Sequence, residues 1–203
     1  MSDLAMHNAA AQPEAALKSA LAGRSIVLVG MMGAGKSSIG RRLAGRLGCP
    51  FVDADTEIEK AAGMTISEIF AQHGEPYFRA GEARVIARLL DGGPQVLATG
   101  GGAFMNLETR ATVRAKGISV WLRAALEVLG RRIKRRNDRP LLKGADPAET
   151  LRKLIEERDP VYAEADLTVE SRDVPHETIV DEILEGLRRR SAPNDPAPGG
   201  AAP

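Results

Sequence analysis

The stretch Gly30-Met31-Met32-Gly33-Ala34-Gly35-Lys36-Ser37 fits the pattern G-x-x-x-x-G-K-[ST]. No other feature narrows the possible folds of this chain so far. The pattern works only where a buried strand runs into a helix, because loop amides and the helix N-terminus together cradle phosphate oxygens. Both neighbours are present. Ile26–Val29 is a short continuous apolar run, as in a strand buried on both faces. After the loop, Ile39, Leu43 and Leu47 repeat at helical spacing, and Gly48 follows as a left-handed cap. The loop around Gly33, Ala34 and Gly35 is therefore predicted to hold nucleotide phosphates. Lys36 can reach the β- and γ-phosphates, and the Ser37 hydroxyl can ligate Mg²⁺.

Strand and helix signals alternate along the rest of the chain. Pro50–Asp55 begins as a strand and ends in carboxylates, and Thr65–Glu68 has the spacing of a capping box. A longer helix is predicted over Pro76–Leu90, then a strand Gln95–Thr99 that runs into Gly100, Gly101 and Gly102. Ile118–Leu122 is a further strand, and Leu126, Leu129 and Ile133 mark one helix face. Asp146, Pro147 and Glu149 open another helix, and Leu167–Val169 with the amphipathic Glu177–Arg190 closes the unit. This alternation predicts an α/β domain with a mainly parallel sheet. Residues 1–23 read as a flexible extension that nothing obliges to pack, 24–190 as one folded domain, and 191–203 as a disordered tail of Ser, Ala, Pro, Gly, Asn and Asp.

Composition removes several functions. Net charge is +1 and aromatics make up 3% of the 203 residues, which argues against a dedicated nucleic-acid or membrane-surface binder. No apolar run reaches the roughly 18 residues of a membrane span, and no secretory or transit signal is evident, so the expected location is cytoplasmic. Cys49 is the only cysteine, which excludes an internal disulfide. The chain has neither the Asp-x-x-Gly switch nor the Asn-Lys-x-Asp reader of a GTPase. A small phosphotransferase remains, and it needs a carboxylate near the acceptor hydroxyl and arginines for anions.

Asp53 and Asp55 end the second strand, where alternation sends their side chains to opposite faces unless the strand has already bent. Arg79 precedes Glu82 on a helix, and Arg158 ends another; a salt bridge and a helix-dipole partner are the plain readings. The three glycines at 100–102 let backbone approach a ligand closely.

Taken together, several segments closely resemble the shikimate kinase family. They are Gly30–Ser38, Phe51–Asp55, Gly63–Phe70, Gly74-Glu75 with Phe78-Arg79 and Glu82, Gly100–Gly102, Arg139–Leu142, and Glu157-Arg158 with Pro160 and Tyr162. The resemblance implies a three-layer fold like that of the nucleoside-monophosphate kinases. Its parts are a central five-stranded parallel sheet, a substrate-binding insertion at about 56–92 and a mobile lid at about 134–146. It implies a monomer that transfers phosphate from ATP to the 3-hydroxyl of shikimate with Mg²⁺. In that reading Asp53 reaches Mg²⁺ through water and Asp55 holds the reacting hydroxyl as candidate base. Arg79, Arg158 and the Gly100–Gly102 loop bind shikimate. Ser38 stands where many members have threonine. Arg139 is the lid arginine over the ATP phosphates, Arg132 lies near adenine, and Arg172 or Pro175 supplies a second adenine contact. A kinase for another hydroxy acid such as gluconate, or a non-catalytic nucleotide-binding regulator, is the alternative.

Overall fold

The computed structural model describes residues 17, 21, 23–134 and 147–191, and its elements alternate as the apolar periods require. β1 (Ser25–Val29) leads into α1 (Lys36–Leu47), β2 (Phe51–Asp53), α2 (Ala54–Ala62) and α3 (Ile66–Asp91). β3 (Val96–Ala98), a 3-10 turn at Ala103–Met105, α4 (Leu107–Lys116) and β4 (Gly117–Arg123) follow. α5 (Leu126–Lys134), α6 (Pro147–Tyr162), β5 (Leu167–Glu170) and α7 (His176–Ser191) complete the described elements. Arg139 and the lid expected around it lie outside the described residues.

The five strands form one parallel sheet in the order β2-β3-β1-β4-β5. The chain steps outward from β1 to β2, returns to β3, then crosses β1 to reach β4. That reversal opens a crevice at the carboxyl ends of the strands, where ligands of such sheets bind. Val27, Leu28, Leu97, Val120 and Leu122 are wholly buried, so the central strands are covered on both faces, as their unbroken apolar runs demand. α1 lies close on the sheet because of Gly40, where a Cβ would come 2.6 Å from Cε2 of Phe51.

Three local readings change. β2 stops at Asp53, and α2 begins at once with Asp53 as its N-cap, its carboxylate accepting from the Asp55 amide at 3.2 Å. Asp55 thus sits in the first turn of a helix and not on a strand, so strand alternation does not separate the two carboxylates. The cap geometry decides this, since an aspartate accepting from an amide two residues on starts a helix as readily as it ends a strand. Next, α4 is an element that its sparse apolar pattern hid; Asn106 caps it by accepting from the Thr109 amide at 3.0 Å. Finally, Leu17 and Leu21 are 2% and 5% exposed within the main core. At these two positions that corrects the expectation that nothing obliges the N-terminal extension to pack, and the Leu21 amide donates to the Leu17 carbonyl at 2.9 Å.

α3 keeps the capping box at Thr65 and Glu68, and Gly74 interrupts it with φ 80 and ψ 173 before Pro76. α2 and α3 carry a smaller core of their own, built on Ile58, Ile69 and Phe78. Gly81, within α3, has open space where a Cβ would stand. A glycine inside a helix costs about 0.8–1 kcal/mol relative to alanine, so Gly81→Ala is expected to raise stability by about that amount in a urea melt. A fall in the midpoint would show that the space is not free.

Candidate active site

Three chain segments meet at the crevice: the loop after β1, the start of α2 after β2, and the glycine loop after β3. They enclose a cavity of about 950 Å³. Gly33, Gly35, Lys36, Ser37, Ser38, Asp53, Asp55, Arg79, Gly100, Gly101, Gly102, Arg132 and Arg158 all line it, so one space brings together most of the residues the sequence singles out.

At the phosphate loop, Gly30, Gly33 and Gly35 have φ of 131, 82 and 92, backbone that other residues rarely adopt. Gly35 is the N-cap of α1, so the helix N-terminus opens into the cavity. The Lys36 ammonium donates to the carbonyls of Gly30 and Met31 at 2.7 and 2.9 Å, which folds the side chain back over the loop. Ser37 Oγ donates to Asp53 Oδ2 at 2.7 Å, joining the loop to the end of β2. Ala34 is buried, and its carbonyl accepts from Ser171 Oγ at 2.7 Å.

At the other end of the cavity, Arg79 and Arg158 converge on the glycine loop. Arg158 is 7% exposed, and its Nη1 donates to the Gly101 carbonyl at 3.3 Å. The same carbonyl accepts the Tyr162 hydroxyl. Burial pushes the Tyr162 pKa up to about 12, so the phenol stays a donor. A Cβ at Gly100 would lie 2.7 Å from Glu82 Oε1 and 2.9 Å from Asp55 Oδ1, and one at Gly102 would run into the Arg79 guanidinium. Gly100 and Gly102 are therefore needed for space between charged groups.

Arg79 Nη1 and Glu82 Oε2 are 2.6 Å apart, and Glu75 pairs with Arg79 at 3.0 Å. Burial works against charge on both members of the inner pair. It lowers the Arg79 pKa, but Glu82 and Glu75 outweigh it, and the net direction is up. Burial raises the Glu82 pKa, Arg79 pulls it down and Asp55 pushes it up, and the net direction is again up. Glu82 is 1% exposed, and its Oε1 has no hydrogen-bond partner among the described residues. The sequence showed Glu82 as a helix partner of Arg79 and as part of a resembling segment, without a role; nothing in a helical spacing distinguishes a surface pair from a buried one.

A titration follows from this. The folded carboxyl of Glu82 holds its proton more tightly than the unfolded one. Its contribution to stability is therefore full below the ordinary value of 4.5 and lost as pH rises through the raised one. Glu82→Gln is expected to remove that loss, so the Tm of the variant relative to the parent should climb with pH from about 4.5 upward. A Tm difference that stays flat or falls would refute the assignment.

The adenine-side candidates divide. Arg132 lines the cavity and donates to Ser171 Oγ at 2.9 Å and to the Arg172 carbonyl at 2.9 Å. Arg172 does not line the cavity; its guanidinium pairs with Glu182 on α7. Arg41, Glu59 and His176 do line it. No motif marks them, and only the packing of α1, α2 and α7 brings them there.

The family model described as shikimate kinase matches residues 32–188. The chain is 68% identical over 178 residues to a shikimate kinase of Bradyrhizobium diazoefficiens, covering 88% of this chain and 86% of that one. It is 66% identical over 180 residues to a shikimate kinase of Nitrobacter winogradskyi, covering 89% and 84%. Its fold superposes on shikimate kinase from Acinetobacter baumannii in complex with shikimate with a TM-score of 0.82 at 38% identity, covering 87% and 99% of the two chains.

Proposed function

The chain belongs to the shikimate kinase family, and from that premise we infer how its own residues carry the reaction. It transfers the γ-phosphoryl group of ATP to the 3-hydroxyl of shikimate, giving shikimate 3-phosphate and ADP. The acceptor oxygen forms a bond to phosphorus as the bond to the β-phosphate oxygen breaks, and the hydroxyl proton leaves through Asp55. The observation that carries the reading is the layout of one cavity, with a phosphate loop at one end and two arginines on a glycine loop at the other.

Each part has a distinct task. The amides of Gly33, Ala34 and Gly35 and the N-terminus of α1 hold the phosphates, and Lys36 follows the charge that shifts onto the leaving oxygen. Asp55, in the first turn of α2, orients the acceptor hydroxyl; positioning and charge neutralisation account for most of the catalysis in phosphoryl transfer. Arg79 and Arg158 hold the planar carboxylate of shikimate, which suits a guanidinium fork. Ser37 and Asp53 would hold Mg²⁺. Their two hard oxygens fit such an ion, which completes its coordination with water and phosphate oxygens. When bound, Mg²⁺ neutralises charge on the β- and γ-phosphates. Arg132 lies at the adenine side.

No helix among the described residues is long and apolar enough to cross a membrane. We place the enzyme in the cytoplasm as a monomer, with residues 24–190, and Leu17 and Leu21 packed into their core, as its catalytic unit. ADP release with Mg-ATP and shikimate, gluconate or no acceptor tests the reading. A rate specific to shikimate is expected. Stimulation by gluconate alone would replace the substrate, and ATP binding without any acceptor effect would leave a nucleotide-binding regulator.

A further inference from the structure

A second recess lies behind the acceptor end of the cavity, between α2 and α3. It measures about 270 Å³ and is walled by Ile58, Ile69, Phe78 and Val85, with Gly81 in its floor and Arg84 and Arg88 at its edge. Because Gly81 has no side chain and open space above it, the recess reaches the backbone of α3. The two arginines are exposed, stand one helical turn apart, and have no carboxylate partner among the described residues. Like charges at that spacing repel, and a single carboxylate between them turns repulsion into two charge-assisted hydrogen bonds. An apolar cavity of roughly 150 Å³ already accommodates benzene, so this recess has room for one ring and its substituent.

We propose that the recess over Gly81 is a second binding site, for a small apolar monocarboxylate whose ring enters the cavity and whose carboxylate is held by Arg84 and Arg88. Phe78 lines this recess and the larger cavity alike, and the Arg79 guanidinium sits 5.1 Å from the centre of its ring. An occupant would therefore lie directly behind the acceptor clamp without sharing its arginines. The site does not depend on which acceptor the enzyme uses.

Fluorine NMR of the full chain, with 4-fluorobenzoate and 4-fluorobenzyl alcohol as probes, tests this with and without shikimate. The carboxylate probe is expected to bind saturably in the presence of shikimate, and the alcohol about tenfold more weakly. The Arg84→Ala/Arg88→Ala double variant should weaken the carboxylate probe about tenfold, and Gly81→Leu, which fills the recess, should abolish its binding. Thermal melting verifies that both variants fold. No saturable binding, equal binding of the two probes, persistence in both variants, or displacement by shikimate would each overturn the site. Should shikimate itself fail to bind, the arginine and Gly81 variants still decide the question.

Discussion

Lys36→Ala is expected to lower kcat for shikimate phosphorylation by about three orders of magnitude while the chain stays folded. The ammonium is anchored to the loop that must receive the phosphates, through the Gly30 and Met31 carbonyls. In the proposed reaction it faces the negative charge that grows as the γ-phosphoryl group leaves. A preorganised cation of this kind lowers the barrier without reorganising at the moment of transfer. Hydrogen bonds from a charged donor contribute about 1.5–3 kcal/mol each to stability, so a thermal melt run beside the kinetics separates the two effects. Steady-state ADP release is the measurement. A kcat within about tenfold of the parent would mean that the loop amides and the helix N-terminus suffice, and the role given to Lys36 would fall.

What the sequence disclosed here, and what it withheld, follows from the range of the interactions involved. The phosphate loop was legible because its chemistry is local: glycines, a lysine and a serine between an apolar strand and a helix of period near 3.6. β1, α1 and the Gly48 cap are set by the same short window. The turn from β2 into α2 was not legible, because the identical pair of aspartates serves a strand end or an N-cap. Only the Asp53 carboxylate accepting from the Asp55 amide distinguishes them. Burial was hidden for a related reason. Glu82 at three residues from Arg79 reads as a solvated helix pair, yet the glycine loop and Asp55 close over it. Arg172 shows the opposite case: an arginine near the expected position turns instead to Glu182 on a neighbouring helix. Leu17 and Leu21, in an alanine-rich stretch, offer too little periodicity to reveal the core they join.

The buried Arg79–Glu82 pair makes the second large effect separable into binding and stability. Arg79→Ala is expected to raise the shikimate KM about a hundredfold, in line with losing one partner of a buried charge-assisted contact. The ATP KM should hardly move, since the phosphate loop lies at the other end of the cavity. The same variant also strips Glu82 of its cation. With a side chain 2% exposed and Asp55 beside it, that carboxylate keeps only the weaker pull of Arg158 and must stay buried underpaired or take up a proton, and either course lowers Tm. A merely structural role for Arg79 would make both losses one effect. The double variant Arg79→Ala/Glu82→Gln separates them, because it removes the stranded charge without restoring an anion clamp. Its Tm should recover towards that of the parent while the shikimate KM stays high. Recovery of KM along with Tm would show that Arg79 only supports the fold, leaving Arg158 alone to hold the substrate carboxylate.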